Sequence, residues 1–261
     1  MSQFDIDTAL EPAGDGVWNG NVPANWWVGA GPNGGFMAAL AARAVALVTD
    51  MPLASLTTHF MEAPVEGPIA VHAAVTRAGR SATFAAVRMY QGDRLVVQAG
   101  GVCAAWREDT PAFTDVDPPA MPPPEECMYI DPTRTNVAPL VGNYEIRMAT
   151  DSTSPVARGW IRAADGDRVP DAALLVAMTD AFIPPPMLRL GFGIRVPTLE
   201  LTVHVRAQMP PGDDPWVIAV FSSRLATGGT VEEDGLLWSA DGRLLAMSRQ
   251  LSLIRRLEPR T

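Results

Sequence analysis

The sequence of 261 residues predicts an α+β protein built from two similar halves. Three observations carry that expectation. An apolar helical stretch followed by long alternating strands occurs twice, and a proline-rich stretch separates the two occurrences. The second helical stretch, Ala172 to Met178, is apolar on every side and so needs cover all round. A single sheet covers only one face of a helix, so either the sheet curls around it or the other half completes the cover. One helix per half, followed by strands, suits an α+β plan better than an alternating α/β one.

In chain order, a short strand near Val17–Val22 precedes residues 33–50 (NGGFMAALAARAVALVTD), which read as a helix entered through a Gly-Gly turn. Alternating runs follow at Leu53–Met61, Ile69–Ala78, Ala82–Tyr90 and Leu95–Ala105, with hairpin turns at Gly79-Arg80-Ser81 and Gln91-Gly92-Asp93. Residues 107–142 hold Asp117-Pro118-Pro119 and Pro122-Pro123-Pro124, a composition that favours an extended surface connector. The second half opens with short strands near Tyr144–Met148 and Arg158–Arg162. A helix is expected at 170–182, then strands near 198–207, 215–225, 231–239 and 243–255, with a turn at Asp241-Gly242. Shifting the halves by roughly 145–149 residues aligns Asp93-Arg94-Leu95-Val96 with Asp241-Gly242-Arg243-Leu244-Leu245, a weak internal repeat. The expected organisation is an N-terminal half at 1–106, a linker at 107–142 and a C-terminal half at 143–261. Two antiparallel sheets, each wrapping its own helix in one chain, make a double hotdog.

Composition narrows the function. Apolar residues make up 48% and charged residues 19%, as in globular proteins. The net charge of −9 argues against nucleic acid, whose binders present a basic face. A phosphorylated ligand stays open, because a few local arginines can hold it. Every basic residue is Arg, so lysine Schiff-base chemistry is excluded. No apolar run approaches the ~20 residues of a membrane span, and Met1-Ser2-Gln3-Phe4-Asp5 has no signal-peptide character. A cytoplasmic protein without a membrane partner is expected. Cys103 and Cys127 match no metal spacing, His59, His72 and His204 form no HExxH or H-x-H pattern, and neither metal nor cofactor is expected. Cys103, within Gly101-Val102-Cys103-Ala104-Ala105, reads as a buried core thiol.

Three polar residues stand out in the second half. Asp180 is the one ionisable side chain in an otherwise apolar helix body. A buried carboxylate is costly unless it is hydrogen-bonded or used, and burial would raise its pKa towards that of a general base. Equally, it could be a helix-terminal Asp reaching solvent where Ile183-Pro184-Pro185-Pro186 ends the helix. Gln250 shares a strand face with Ala246, Ser248 and Ser252, small neighbours that leave room for a ligand or for the helix. Thr198, after Pro197, is a β-former at the start of a strand, and alternation does not fix its facing.

The whole chain resembles the acyl-CoA thioesterase II family of double hotdogs. GPNGGFMAALAARAV (31–45) is similar to that family's first-helix opening, and LTTHFMEAP (56–64) to its next strand. The family's helix Asp, strand-start Thr and final-strand Gln fall, in order, on Asp180, Thr198 (in PTLELTVHV) and Gln250 (in AMSRQLSLIR). The resemblance implies that these three bind and activate a water that hydrolyses an acyl-CoA thioester. Two departures bear on the substrate: Leu201 stands where the family usually has a histidine, and the prolines after Asp180 are unusual. Gly34 or Gly35, at a helix N-terminus, is the expected backbone donor to the carbonyl oxygen, unless the pair only shapes the turn. Arg80, Arg195 or Arg224 would meet the CoA phosphates, and the acyl chain would lie in a groove between the halves. A hotdog hydratase is disfavoured because Pro185 stands where its histidine would be. A serine hydrolase lacks its G-x-S-x-G elbow. The competing reading is a non-catalytic acyl-CoA or lipid-binding protein. Homo-oligomers paired through sheet edges are expected.

Overall fold

The computed structural model describes residues 1–107, 109–134, 137–149 and 155–257. The last four residues of the expected C-terminal half, and Glu108, Thr135 and Asn136 of the expected linker, lie outside the described residues.

The chain begins with a short helix, α1 (Gln3–Asp7), closed by a capping box in which Ser2 and Asp5 satisfy each other's backbone N–H. Strands β1 (Glu11–Gly14) and β2 (Val17–Val22) follow, then helix α2 (Gly34–Val48). Strands β3 (Leu53–Phe60), β4 (Gly67–Ala78), β5 (Ala82–Gln91) and β6 (Arg94–Ala104) complete the first half. The second half contains β7 (Met128–Tyr129), β8 (Tyr144–Met148), β9 (Val156–Ala163), helices α3 (Ala172–Met178) and α4 (Pro185–Leu190), then β10 (Thr198–Val205), β11 (Val217–Ser222), β12 (Thr230–Ser239) and β13 (Leu244–Leu253).

These strands form one antiparallel sheet in the order β1-β2-β4-β5-β6-β3-β10-β13-β12-β11-β9-β8-β7. The halves join at β3 and β10, where Thr58 stands opposite Leu201 and Thr57 opposite Thr202. The Thr57 and Thr202 hydroxyls share a 3.0 Å hydrogen bond across this seam. Helices α2 and α3 pack on each other and on the strands either side of the seam. Alternation puts Leu56, Val87, Leu201 and Leu237 on the helix-facing side, all fully buried. In α3 every residue from Ala173 to Met178 is buried, as its all-round apolarity requires. The double hotdog expected from the sequence is the observed fold.

Two local expectations are corrected. The second helix is shorter than 170–182, because it ends at Met178 with Thr179 as its C-cap. The Thr179 hydroxyl bonds the Val176 carbonyl at 2.7 Å, satisfying part of the helix end. Asp180 therefore stands in the turn just beyond the helix and not within it. The prolines after it do not simply terminate structure: Pro185 and Pro186 open the short α4, where a missing N–H is harmless.

The connector is extended, but part of it is packed. Trp160, Ile218 and Trp238 stand in one row across β9, β11 and β12, and with Cys127 they form a small apolar cluster. The Trp160 indole donates to the Pro122 carbonyl at 2.8 Å, tying the connector to that cluster. The sheet edges are short: β1 has four residues, one of them Pro12, and β7 has two. Among the described residues no helix is long and apolar enough to cross a membrane.

Candidate active site

The two helices run antiparallel, so the start of α2 meets the end of α3. That approach is close. A Cβ on Gly35 would lie 2.5 Å from the Ala177 carbonyl oxygen, and one on Gly34 would lie 3.0 Å from Asp180 Oδ2. Only glycine lets the α2 N-terminus reach the α3 C-terminus without shifting the backbone.

Into this contact points Asp180, from the turn after α3. Its Oδ2 accepts from the Gly35 N–H and from Asn33 Nδ2, both at 2.9 Å. Asn33 Nδ2 also donates to the Asp180 carbonyl at 2.7 Å. Through its own oxygen Asn33 caps α2, accepting the Phe36 N–H at 2.9 Å. One side chain thus ends α2 and clamps the carboxylate of the other half.

The second oxygen of Asp180 faces the sheet. Gln250 Nε2, from β13, stands 3.4 Å from Asp180 Oδ1. Gln250 Oε1 in turn accepts from the Thr198 hydroxyl at 2.9 Å, and the Ser252 hydroxyl is 3.5 Å from Thr198 Oγ1. The register of β10 on β13 puts Thr198 opposite Ser252 and Leu201 opposite Gln250. Gln250 is buried, whereas Asp180 and Thr198 are half-buried. The chain therefore brings Asp180, Thr198, Gln250, Gly34 and Gly35 into one place from both halves.

Burial raises the Asp180 carboxyl from its ordinary value to about 6. The Gly35 and Gly34 N–H groups, the Gln250 amide and Asn33 pull the other way but do not cancel the desolvation. A carboxyl at about 6 is largely ionised at neutral pH while being a stronger base than an exposed Asp.

Two residues of this cluster escaped the sequence reading. Asn33 carried a signal: an Asn before Gly-Gly at the start of a helix is a strong N-cap. Glu233 also carried one, since alternation along TVEEDGLLWS puts it on the same face as Val231 and Leu237. It is buried, and its Oε1 accepts from Gln250 Nε2 at 2.8 Å.

Of the arginines expected near phosphates, Arg224 is paired with Asp234. Arg80 is exposed on the β4–β5 turn. Arg195 stands opposite Arg255 in a two-residue ladder that also contains Arg256. Arg195, Arg255 and Arg256 are exposed, and none of these ladder arginines has an ion pair among the described residues. In the chain this ladder lies just before Thr198 and just after Leu253.

Two family models match the sequence: an acyl-CoA thioesterase N-terminal domain over residues 22–104 and an acyl-CoA thioesterase C-terminal domain over residues 113–254. An uncharacterised protein of Mycobacterium tuberculosis is 25% identical over 274 residues, covering 91% of each chain. Among solved structures, a hot dog fold protein of unknown function from Alicyclobacillus acidocaldarius superposes with a TM-score of 0.90 at 24% identity, covering 99% of this chain and 100% of the other. A candidate thioesterase II from Thermobifida fusca gives 0.87 at 25% identity, with 98% of both chains covered. An acyl-CoA thioesterase II from Mycobacterium marinum gives 0.77 at 18% identity, covering 98% of this chain and 100% of that one.

Proposed function

Because the chain belongs to the acyl-CoA thioesterase family, we propose that it hydrolyses the thioester of an acyl-CoA, with Asp180, Thr198 and Gln250 acting on one water. The observation that carries this reading is the Asp180 carboxyl itself. One of its oxygens is clamped by Gly35 and Asn33 of the first half, and the other is turned towards the Gln250–Thr198 pair.

The hydrogen-bond inventory says what a water there would do. Thr198 gives its single proton to Gln250 Oε1, so towards a water it can only accept. Asp180 Oδ1, when ionised, also only accepts. A water between them would donate one proton to each and keep a lone pair free for attack. Its oxygen bonds to the thioester carbon while Asp180 takes its proton. Collapse of the tetrahedral intermediate breaks the C–S bond, and the sulfur leaves with that proton as the CoA thiol. The carbonyl oxygen gains negative charge on the way and needs a donor. The Gly35 N–H holds the base at 2.9 Å, and the half-buried Gly34, next to Asp180 Oδ2, would turn its N–H to the substrate oxygen. Arg195, Arg255 and Arg256 supply positive charge for the CoA phosphates in an otherwise acidic protein.

The test is release of free CoA thiol from short, medium, long and branched acyl-CoAs, with wild type and Asp180→Asn side by side. Loss of the base should lower turnover on the order of 10²–10⁴-fold and leave acyl-CoA affinity nearly unchanged. Equal turnover in the variant would remove Asp180 from the mechanism. Tight acyl-CoA binding with no turnover by the wild type would favour a binding protein on the same fold.

A further inference from the structure

Behind Gln250 lies a second carboxyl that the proposed reaction does not use. Glu233 stands directly opposite Gln250 in the β12–β13 register, and it is 8% exposed. Gln250 Nε2 lies 2.8 Å from Glu233 Oε1 and 3.4 Å from Asp180 Oδ1. The amide is thus a bridge between two carboxyls. With its nitrogen held between them, its oxygen has to face Thr198, the orientation the proposed water needs.

The charges around Glu233 are those of other acids. Asp180 faces it from the turn after α3, and Glu232 and Asp234 flank it on its own strand. Arg249 on β13 and Arg224 after β11 are both engaged with Asp234. From β11 the neighbouring side chain is Phe221, packed against Gly235, and Tyr144 on β8 feels the charge of Asp180. Among the described residues no cation pairs with Glu233. Two neighbouring carboxylates, one buried and one half-buried, without a cation are mutually unfavourable, so one of them keeps a proton.

We propose that Glu233 is a positioning residue: it fixes the Gln250 amide and retains the proton of the carboxyl pair, so that Asp180 is the one ionised. The proton is retained there because Glu233 is the more deeply buried partner and has fewer donors. Asp180 accepts three hydrogen bonds at its carboxyl, from Asn33, Gly35 and Gln250, whereas the contact of Glu233 is with Gln250. The directions of their shifts agree, with burial and Asp180's charge raising Glu233 to about 8, above Asp180 at about 6.

Only the kinetic consequence of this inference rests on the hydrolase reading. Its primary test is therefore spectroscopic: a pH titration of side-chain carboxyl carbons by ¹³C NMR in wild type, Asp180→Asn and Glu233→Gln. Expected is a Glu233 signal that stays protonated through neutral pH and titrates at lower pH in Asp180→Asn. A Glu233 that titrates in the ordinary carboxylate range, or that ignores Asp180→Asn, overturns the proposal. The kinetic arm follows kcat/KM against pH. It should rise as Asp180 loses its proton and fall as Glu233 ionises, because a second negative charge opposes the developing oxyanion. Glu233→Gln, which can still accept from Gln250, should lose the alkaline fall. Glu233→Leu should lose kcat about 10- to 100-fold, with KM less affected, as the amide comes loose, and Glu233→Gln should recover most of that loss. Wild-type kcat in Glu233→Leu overturns the positioning role. Coupled titration without hydrolysis of any acyl-CoA would sink the hydrolase reading and leave the proton-sharing pair in place.

Discussion

Gly35→Ala tests whether the site depends on the close approach of the two helices. The added Cβ would sit 2.5 Å from the Ala177 carbonyl oxygen, 2.9 Å from Asp180 Cβ and 3.0 Å from Asn33 Oδ1. The nearest of these is backbone, which cannot swing aside, so α2 and α3 must separate by the better part of an ångström. Overpacking of this kind costs about 1–3 kcal/mol, and a retreating α2 also weakens the charged hydrogen bond from the Gly35 N–H to Asp180, worth about 1.5–3 kcal/mol. The expected outcome is a loss of about 2–4 kcal/mol in urea unfolding with an unchanged m-value. In the proposed hydrolase the acid limb of kcat/KM should move to higher pH, because Asp180 loses a donor that lowers its pKa. Gly34→Ala is the control. Its Cβ meets the end of the Asp180 side chain and the Phe60 ring, both of which can move, so it should cost less stability. A Gly35→Ala protein as stable as wild type, with its acid limb in place, would refute the argument that this glycine is required by the helix–helix contact.

Two further outcomes follow from the charges. Asp180 has a folded pKa of about 6 against 3.8 for an unperturbed Asp carboxyl, so the folded state binds more protons between those values and stability falls as pH rises through that window. Asp180→Asn should therefore stabilise the fold above about pH 6, by up to roughly 3 kcal/mol, with the gain vanishing near pH 4. Urea midpoints of both proteins at pH 4 and pH 7.5 would read this, and an equal difference at the two pH values would contradict the burial of that carboxyl. If the ladder at Arg195 and Arg255 meets phosphates, a double Arg195→Ala, Arg255→Ala variant should raise KM for acyl-CoA about tenfold. It should leave the matching acyl-pantetheine, which has no phosphates, unaffected. The same rise on both substrates would place the phosphates elsewhere.

Much of the fold was legible because its signals are local. The alternation of Leu53–Phe60 or Thr230–Ser239 and the all-round apolarity of Ala172–Met178 announce what each segment must bury. What escaped the sequence is what depends on distant partners. Nothing near Thr58 says that it will stand opposite Leu201, and nothing near Gly35 says that a carbonyl of the other half excludes a Cβ there. Asp180 stands out by itself as an ionisable group in an apolar stretch, but the expected trio as a set comes from family likeness, since a lone Gln on a strand carries no signal. Glu233 shows the opposite case. Its position on an apolar strand face was readable, but its importance lies in facing Gln250, a cross-strand contact that alternation alone does not reveal. Apolar neighbours put Asp180 inside the expected helix, whereas the Thr179 cap that ends α3 just before it is a hydrogen-bonding detail of the folded chain.

The internal repeat also explains why the proposed chemistry has one home per chain. The β3–β10 seam pairs Thr57 with Thr202 near its centre, so a two-fold rotation there exchanges the halves. Under that rotation Gln250, opposite Leu201, corresponds to Gly101, opposite Leu56. Glu233, opposite Gln250, corresponds to Ala85, opposite Gly101, and Thr198 corresponds to Leu53. The helix ends are exchanged as well. Where the Asn33 cap of α2 holds Asp180, the Asp171 cap of α3 holds Arg43, at 2.8 Å. A concavity of about 510 Å³ persists at that second end, bordered by Arg43, Leu53, Cys103, Asp171, Leu175 and Met209. It has space, but its Asp171 is held by Arg43 and Arg168, and Leu53 and Gly101 stand where the other end has Thr198 and Gln250. Nor could a glutamine simply be restored there, because a Cβ on Gly101 would already lie 2.8 Å from Val45 on α2. Where the second half has polar positions the first has close helix packing, and it presents the α2 N-terminus that clamps Asp180 at the other end.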